Sequence, residues 1–129
     1  MGTTYAREIN HLMKVLDAIR GDEIDMSMQQ AQAFLAVIMR PGLTMQNMAD
    51  MVGMSQSSCS RNVAALSKEH RLHKPGLNFV EAIQDPVEWR RKVMYLTPLG
   101  VLRARKVIEA LTGEMADYDP PTAKNARKV

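Results

Sequence analysis

A single cysteine, Cys59, is all that this 129-residue chain carries, so no internal disulfide framework is possible and a reducing compartment is expected. No apolar run approaches membrane-spanning length, and the N-terminal stretch MGTTYAREIN lacks the apolar core of a signal peptide. The chain is therefore expected in the cytoplasm, away from membranes. It shows no internal repeat. It also lacks a nucleophile–base pairing, a glycine-rich phosphate loop and a carboxylate pair, so catalysis has no positive support and no cofactor is expected. What remains is ordinary globular material, 46% hydrophobic and 24% charged, of a length that suits one domain.

Charge is unevenly spread. The net value is only +3, but residues 56–106 hold ten basic against four acidic side chains, +6. The flanking segments are −2 (residues 1–55) and −1 (residues 107–129). A solvated basic face is the ordinary meaning of such a patch. It gains interest from the motif with which it begins.

That motif is TMQNMADMVGMSQSSCSRNVAALSK, residues 44–68. Thr44 can cap a short helix that places Met45, Met48, Ala49 and Val52 on one face. Gly53 can end it in the left-handed conformation that helix stops favour. Small Ala49, four residues before Gly53, lets a second helix approach closely. Ser55 caps that second helix, whose inner side carries Cys59, Val63 and Leu66. Gln56, Ser57, Ser58, Ser60, Arg61 and Asn62 crowd its first turns, and all can hydrogen-bond to base edges or phosphates. The pattern is a helix-turn-helix over 44–68 with its second helix built for recognition of duplex DNA.

The flanks extend the pattern. A first helix over 4–20 carries the stripe Tyr5, Ile9, Leu12, Met13, Leu16 and Ile19 and ends at Gly21. A second, about Ser27 to Met39, opens on the possible capping box Ser27/Gln30 and is apolar nearly all round, as a central core helix should be. Arg40-Pro41-Gly42 breaks it, and Leu43-Thr44 can form a short strand. Downstream of the basic link His70–Lys74, a β-favouring run holds Leu77, Phe79, Val80 and Ile83, and another holds Val93 to Leu96. Between them lie Asp85, Pro86, Val87 and Glu88, then Trp89, Arg90, Arg91 and Lys92. A hairpin over 77–97 with a basic tip, directly after a recognition helix, is the wing of a winged helix. The tip suits phosphate contact or minor-groove insertion; its ordinary alternative is a hairpin end carrying solubilising charges. Thr97-Pro98 opens a last helix over 98–116, with the stripe Leu99, Leu102, Ile108, Leu111 and Met115, stopped by Pro120-Pro121. The polar end of the chain, residues 117–129, is expected to be a disordered tail. The fold class is thus mainly α with a small β-hairpin wing, in a single domain over residues 1–116.

From Met28 to about Leu111, some two thirds of the chain, the order of these pieces resembles the MarR family of winged-helix transcriptional regulators. The resemblance rests on RPGLT (40–44), MADMVGMSQSSCSRNVAAL (48–66), the Asp85-to-Arg91 wing and the exit VMYLTPLG (93–100). Within these, Ser60-Arg61, Asp85, Arg90 or Arg91, and Leu96-Thr97 with Gly100 match the family pattern. The resemblance implies a homodimer, usually a repressor, that sets two recognition helices in successive major grooves. By position it implies that Gln56, Ser57, Ser58 and Arg61 read bases or adjacent phosphates and that Arg90 and Arg91 are the wing arginines. The residues themselves add Ser55, Ser60 and Lys68 as expected DNA contacts of the recognition helix, and Thr44, Arg71, Lys74 and Lys92 as those of the wing and flanks. The helices over 4–20 and 98–116 would carry the dimer. Any small-molecule effector is left unspecified.

Other residues invite sharper readings. Cys59 is a redox-sensor candidate, but the inner face of a helix favours a small buried hydrophobe. His70 and His73 have a ligand-like spacing, yet basic neighbours and the want of a third ligand oppose zinc. The eleven methionines can line an adaptable pocket or fill core. Two further functions stay open: a winged helix that binds a protein partner, and a replication or recombination accessory of a mobile element.

Overall fold

Capping chemistry sets most helix boundaries in the computed structural model, which describes residues 4–23, 25–68 and 74–127. Helix α1 (Ala6–Arg20) stops at Gly21. Helix α2 (Met28–Met39) opens on a complete capping box: the Gln30 N–H donates to Ser27 Oγ, and the Ser27 N–H donates to Gln30 Oε1, each at 3.1 Å. A two-residue strand, β1 (Leu43–Thr44), leads into α3 (Met45–Val52). Thr44 and Asn47 form a second capping box there, at 3.0 Å in both directions. Gly53 ends α3 with φ 76° and ψ 40°, a conformation costly for any residue with a Cβ. Helix α4 (Gln56–Leu66) follows after only three residues, started by the Ser58 N–H donating to Ser55 Oγ at 3.1 Å. Strands β2 (Val80–Gln84) and β3 (Lys92–Leu96) form the hairpin, and α5 (Pro98–Thr112) and α6 (Ala123–Arg127) complete the chain.

The sheet is antiparallel in the order β1-β3-β2, with Leu43 opposite Met94, Val80 opposite Leu96 and Ile83 opposite Val93. Strand alternation turns Val80, Ala82, Met94 and Leu96 toward the main core. There they meet Phe34 and Val37 of α2, Met48 of α3 and Leu66 of α4, all nearly or fully inaccessible to solvent. Phe34 and Phe79 stack with ring centroids 5.3 Å apart. Each of these large side chains contributes about 1.5–3 kcal/mol by leaving water, and together they clamp the helix pair α3–α4 between α2 and the hairpin. This is the mainly helical winged helix-turn-helix that the sequence pattern implies.

Several expectations need correction. Leu77 to Phe79 are not part of the ladder: their N–H groups, with that of Gly76, donate to the carbonyls of Ala65, Ser67, Leu66 and Lys68 at 2.8–3.3 Å. They satisfy the open C-terminal end of α4, so the paired strand starts only at Val80. Helix α5 ends at Thr112 rather than 116, because Gly113 takes the left-handed cap (φ 76°) well before Pro120. The face of α5 that is buried is the small one, Gly100, Val101, Ala104 and Val107, which leaves Leu99, Leu102, Leu111 and Met115 exposed. Likewise α1, which packs on α5, buries Val15 and Ile19, while Tyr5, Ile9, Leu12, Met13 and Leu16 stay 48–67% exposed. The tail is not a disordered end as far as residue 127. The Tyr118 hydroxyl donates to the Ile38 carbonyl at 2.7 Å, and Ala123 of α6 is 1% exposed against Ile83 and Val93.

Candidate nucleic-acid interface

Helix α4 presents a divided surface. Cys59, Asn62, Val63 and Leu66 face the core, and Gln56, Ser57, Ser60 and Arg61 face solvent. Ser55 is committed to the cap, with its hydroxyl close to those of Ser57 and Ser58 at 3.2 and 3.0 Å. Ser58 is half-buried, and its Oγ accepts from Arg61 Nη2 at 3.1 Å, which orients the guanidinium along the helix. The rest of that guanidinium remains available, with its planar fork suited to paired acceptors. No acidic side chain lies in the first turn of α4. Its helix N-terminus therefore keeps its favourable potential for an anion. Lys68 is exposed just beyond the C-terminal end.

Sequence pattern groups Asn62 with the outward residues, and the structure turns it inward. It is 9% exposed, with Nδ2 donating to Gln29 Oε1 of α2 at 3.3 Å and to Met54 Sδ at 3.4 Å. In its place the outer surface gains Gln46 of α3, which the sequence pattern does not single out. Gln46 and Gln56 are hydrogen-bonded side chain to side chain, and Gln46 Nε2 also donates to Asp50 Oδ1 at 2.9 Å. The available signal is positional: the second residue of α3 lies beside the first residue of α4 in a helix-turn-helix.

The hairpin tip, residues 85–91, is organised by Asp85. One carboxylate oxygen accepts the Val87 N–H at 2.9 Å and the other accepts Arg91 Nε–H at 2.6 Å. The Asp85 N–H donates to the Arg91 carbonyl at 2.9 Å. The Val87 N–H, followed by the Arg91 side chain, holds the Asp85 carboxyl below the usual carboxylate range. Arg90 lies over the Trp89 ring, 5.8 Å from its centroid. Arg90, Arg91 and Lys92 are all exposed.

The structure thus gathers the candidates into two groups, one at the front of α4 and one at the hairpin tip, with no hydrogen bond between them among the described residues. Thr44 belongs to neither, because its hydroxyl is occupied as the α3 cap. Lys74 is exposed in the link that leads to the hairpin, and Arg71, His70 and His73 lie outside the described residues. Cys59 is fully buried, and burial pushes its thiol pKa up. Among the described residues, no group of three or more His, Cys, Asp or Glu side chains could hold a metal, and no helix is long and apolar enough to cross a membrane. Away from the interface, Met13, Leu16, Ile19, Met26 and Met28 line an apolar cleft of about 350 Å³ between α1 and the start of α2.

No family model matches the chain, and no curated protein matches it. Solved structures do. The MepR–DNA complex of S. aureus superposes with a TM-score of 0.64 at 18% identity, covering 86% of this chain and 85% of that one. A MarR family transcription regulator gives 0.60 at 14% identity over 84% and 67% of the two chains. The PcaV transcriptional regulator of Streptomyces coelicolor, in complex with its natural ligand, gives 0.54 at 20% identity over 87% and 78%. The chain shares the winged-helix fold of these regulators. In this fold α3–α4 forms a helix-turn-helix and β2–β3 the hairpin that follows it, so the two candidate groups above lie on its second helix and at its hairpin tip.

Proposed function

We propose that this chain is a transcriptional regulator of the MarR type, a repressor that binds double-stranded DNA as a homodimer. The observation that carries the reading is the front of α4. Four hydrogen-bonding side chains, Gln56, Ser57, Ser60 and Arg61, face outward there from a helix whose opposite side is locked into the core. Their task is base and groove contact, while Lys68, Lys74 and the wing cations neutralise phosphates. Support also comes from MepR, a neighbour in fold that was solved on DNA.

The dimer accounts for the exposed apolar stripe of α1 and for Leu99, Leu102 and Leu111 of α5. A single chain leaves these side chains in water at a cost that a second copy would remove. PcaV is a fold neighbour solved with a natural ligand, and the cleft beside Met26 and Met28 offers an effector an apolar setting.

Selection of bound duplexes from a random pool tests the whole reading. An enriched inverted repeat is the expected result, and a pool that stays random would refute it. In the same system, Arg90→Ala with Arg91→Ala should weaken every duplex. The slope of log affinity on log salt should fall by about 4, one for each phosphate that the two wings of the dimer no longer neutralise.

A further inference from the structure

The wing tip has an apolar component that the single chain leaves uncovered. Trp89, the only tryptophan, is 67% exposed, and Val87 is 89% exposed. The backbone that carries them is braced. The tip is closed by the Asp85–Arg91 backbone bond, by the Arg91 N–H donating to the Glu88 carbonyl at 3.0 Å, and by the two hydrogen bonds accepted by the Asp85 carboxylate. An indole and an isopropyl group are thus held out at the far end of a braced hairpin. Their surroundings are mixed. Arg90 lies over the indole, Arg91 and Lys92 follow, and of the two carboxylates at the tip Asp85 is already engaged by Arg91. Apolar groups among net positive charge match a polyanion with an apolar interior, which describes the minor groove with its deoxyribose walls and stacked base edges.

We propose that Trp89, assisted by Val87, is a minor-groove wedge that presses on a base step and reads its deformability. Pyrimidine–purine steps open most easily, so the wedge adds a preference for TpA or CpA at the position under the wing, with no hydrogen bond to a base. This rests on the DNA-binding reading above, and the test separates the two. Two labelled duplexes of equal length are titrated with the full-length protein at low salt. One carries TpA steps throughout and the other is an unbroken A-tract, and label anisotropy is followed alongside Trp89 emission.

The wedge predicts that emission changes on saturation and that the TpA duplex binds more tightly. Trp89→Ala should erase that preference and weaken binding about a hundredfold, the scale of one aromatic contact (about tenfold) removed from each of the dimer's two wings. The salt slope should stay as in the unmodified protein, since no charge is removed. Trp89→Phe should retain most of the preference. Binding with unchanged emission, or a Trp89→Ala protein that keeps the TpA preference, overturns the wedge and leaves the DNA reading standing. Failure of both duplexes to bind at low salt overturns both readings.

Discussion

Gly100 stands in the first turn of α5, where helix propensity alone makes alanine better than glycine by about 1 kcal/mol. The structure reverses that sign. A Cβ at this position would lie 2.0 Å from the Phe79 carbonyl oxygen and 2.9 Å from its carbon, where ordinary contact begins near 3.4 Å. The obstacle is backbone and is pinned. Its oxygen accepts the Thr97 N–H at 3.0 Å, and Thr97 Oγ1 donates to the Asn78 carbonyl at 2.6 Å while accepting the Gly100 N–H at 3.0 Å. Phe79 is itself buried on Phe34. Gly100→Ala must therefore push the root of the wing off the core. Two hydrogen bonds at about 1 kcal/mol each and about 1–3 kcal/mol of overpacking, less the propensity gain, leave a net loss of about 2–4 kcal/mol. Urea unfolding followed by circular dichroism, at one fixed protein concentration because of the proposed dimer, should show a lower midpoint with an unchanged m-value. A midpoint equal to or above that of the unmodified protein would refute the close approach of α5 to Phe79.

Other perturbations have equally definite signs. Asn62 donates over long distances to an exposed glutamine, which water can satisfy, and to a weak sulfur acceptor. Asn62→Leu should therefore lie within about 1 kcal/mol of the unmodified protein, or above it. A loss beyond about 2 kcal/mol in the same urea assay would mean that the amide seats α4. The depressed pKa of Asp85 gives the wing stability that is fully present above the ordinary carboxylate value near pH 4. That contribution is lost as pH falls through the lower folded value. Asp85→Asn should loosen the tip already at neutral pH, which the steady-state anisotropy of Trp89 would report as a drop; equal anisotropies at pH 7 would contradict the brace. Cys59, buried and with its thiol pKa raised, should resist a disulfide reagent at pH 8 until urea exposes it, and fast labelling of the native protein would contradict its placement.

The parts of this fold that are legible in the sequence are those fixed by chemistry between near neighbours. Ser27 with Gln30, Thr44 with Asn47, Ser55 with Ser58, and Thr97 with Gly100 each close a helix start across three residues, and Gly53 closes a helix end by its own backbone freedom. Chain order then implies the helix-turn-helix and its wing. What stays hidden depends on partners far away in the chain. Asn62 looks outward because its neighbours do, and it is packing against Met54 and against Gln29, 33 residues earlier, that turns it in. The stripes of α1 and α5 look like core because their spacing is helical. Each of these helices in fact has two apolar sides, and periodicity cannot say which side the fold uses. Of the candidate interface, the residues of the α4 front and the basic wing tip can be named from sequence, whereas the occupied state of Thr44 and the place of Gln46 emerge only from packing.

The end of the chain illustrates the same limit and adds a connection. A hairpin whose strands alternate Val80, Ala82, Met94 and Leu96 toward the core must turn Ile83, Val93 and Tyr95 the other way, and a wing with a second apolar face needs a second cover. Residues 114–127 supply it. They leave α5, where Arg105 Nε–H donates to the Tyr118 carbonyl at 2.9 Å, reach α2 through the Tyr118 hydroxyl, and dock Ala123 and Ala126 on the outer face of the wing. The polar letters of this stretch read as disorder because its apolar packing on the hairpin is made by the small side chains of Ala123 and Ala126, and alanine carries little weight in a hydrophobic pattern. The wing is consequently held on its inner face by the core and on its outer face by the tail. Its tip is thereby referred to α2, which borders the apolar cleft, and to α5, which carries the uncovered leucines.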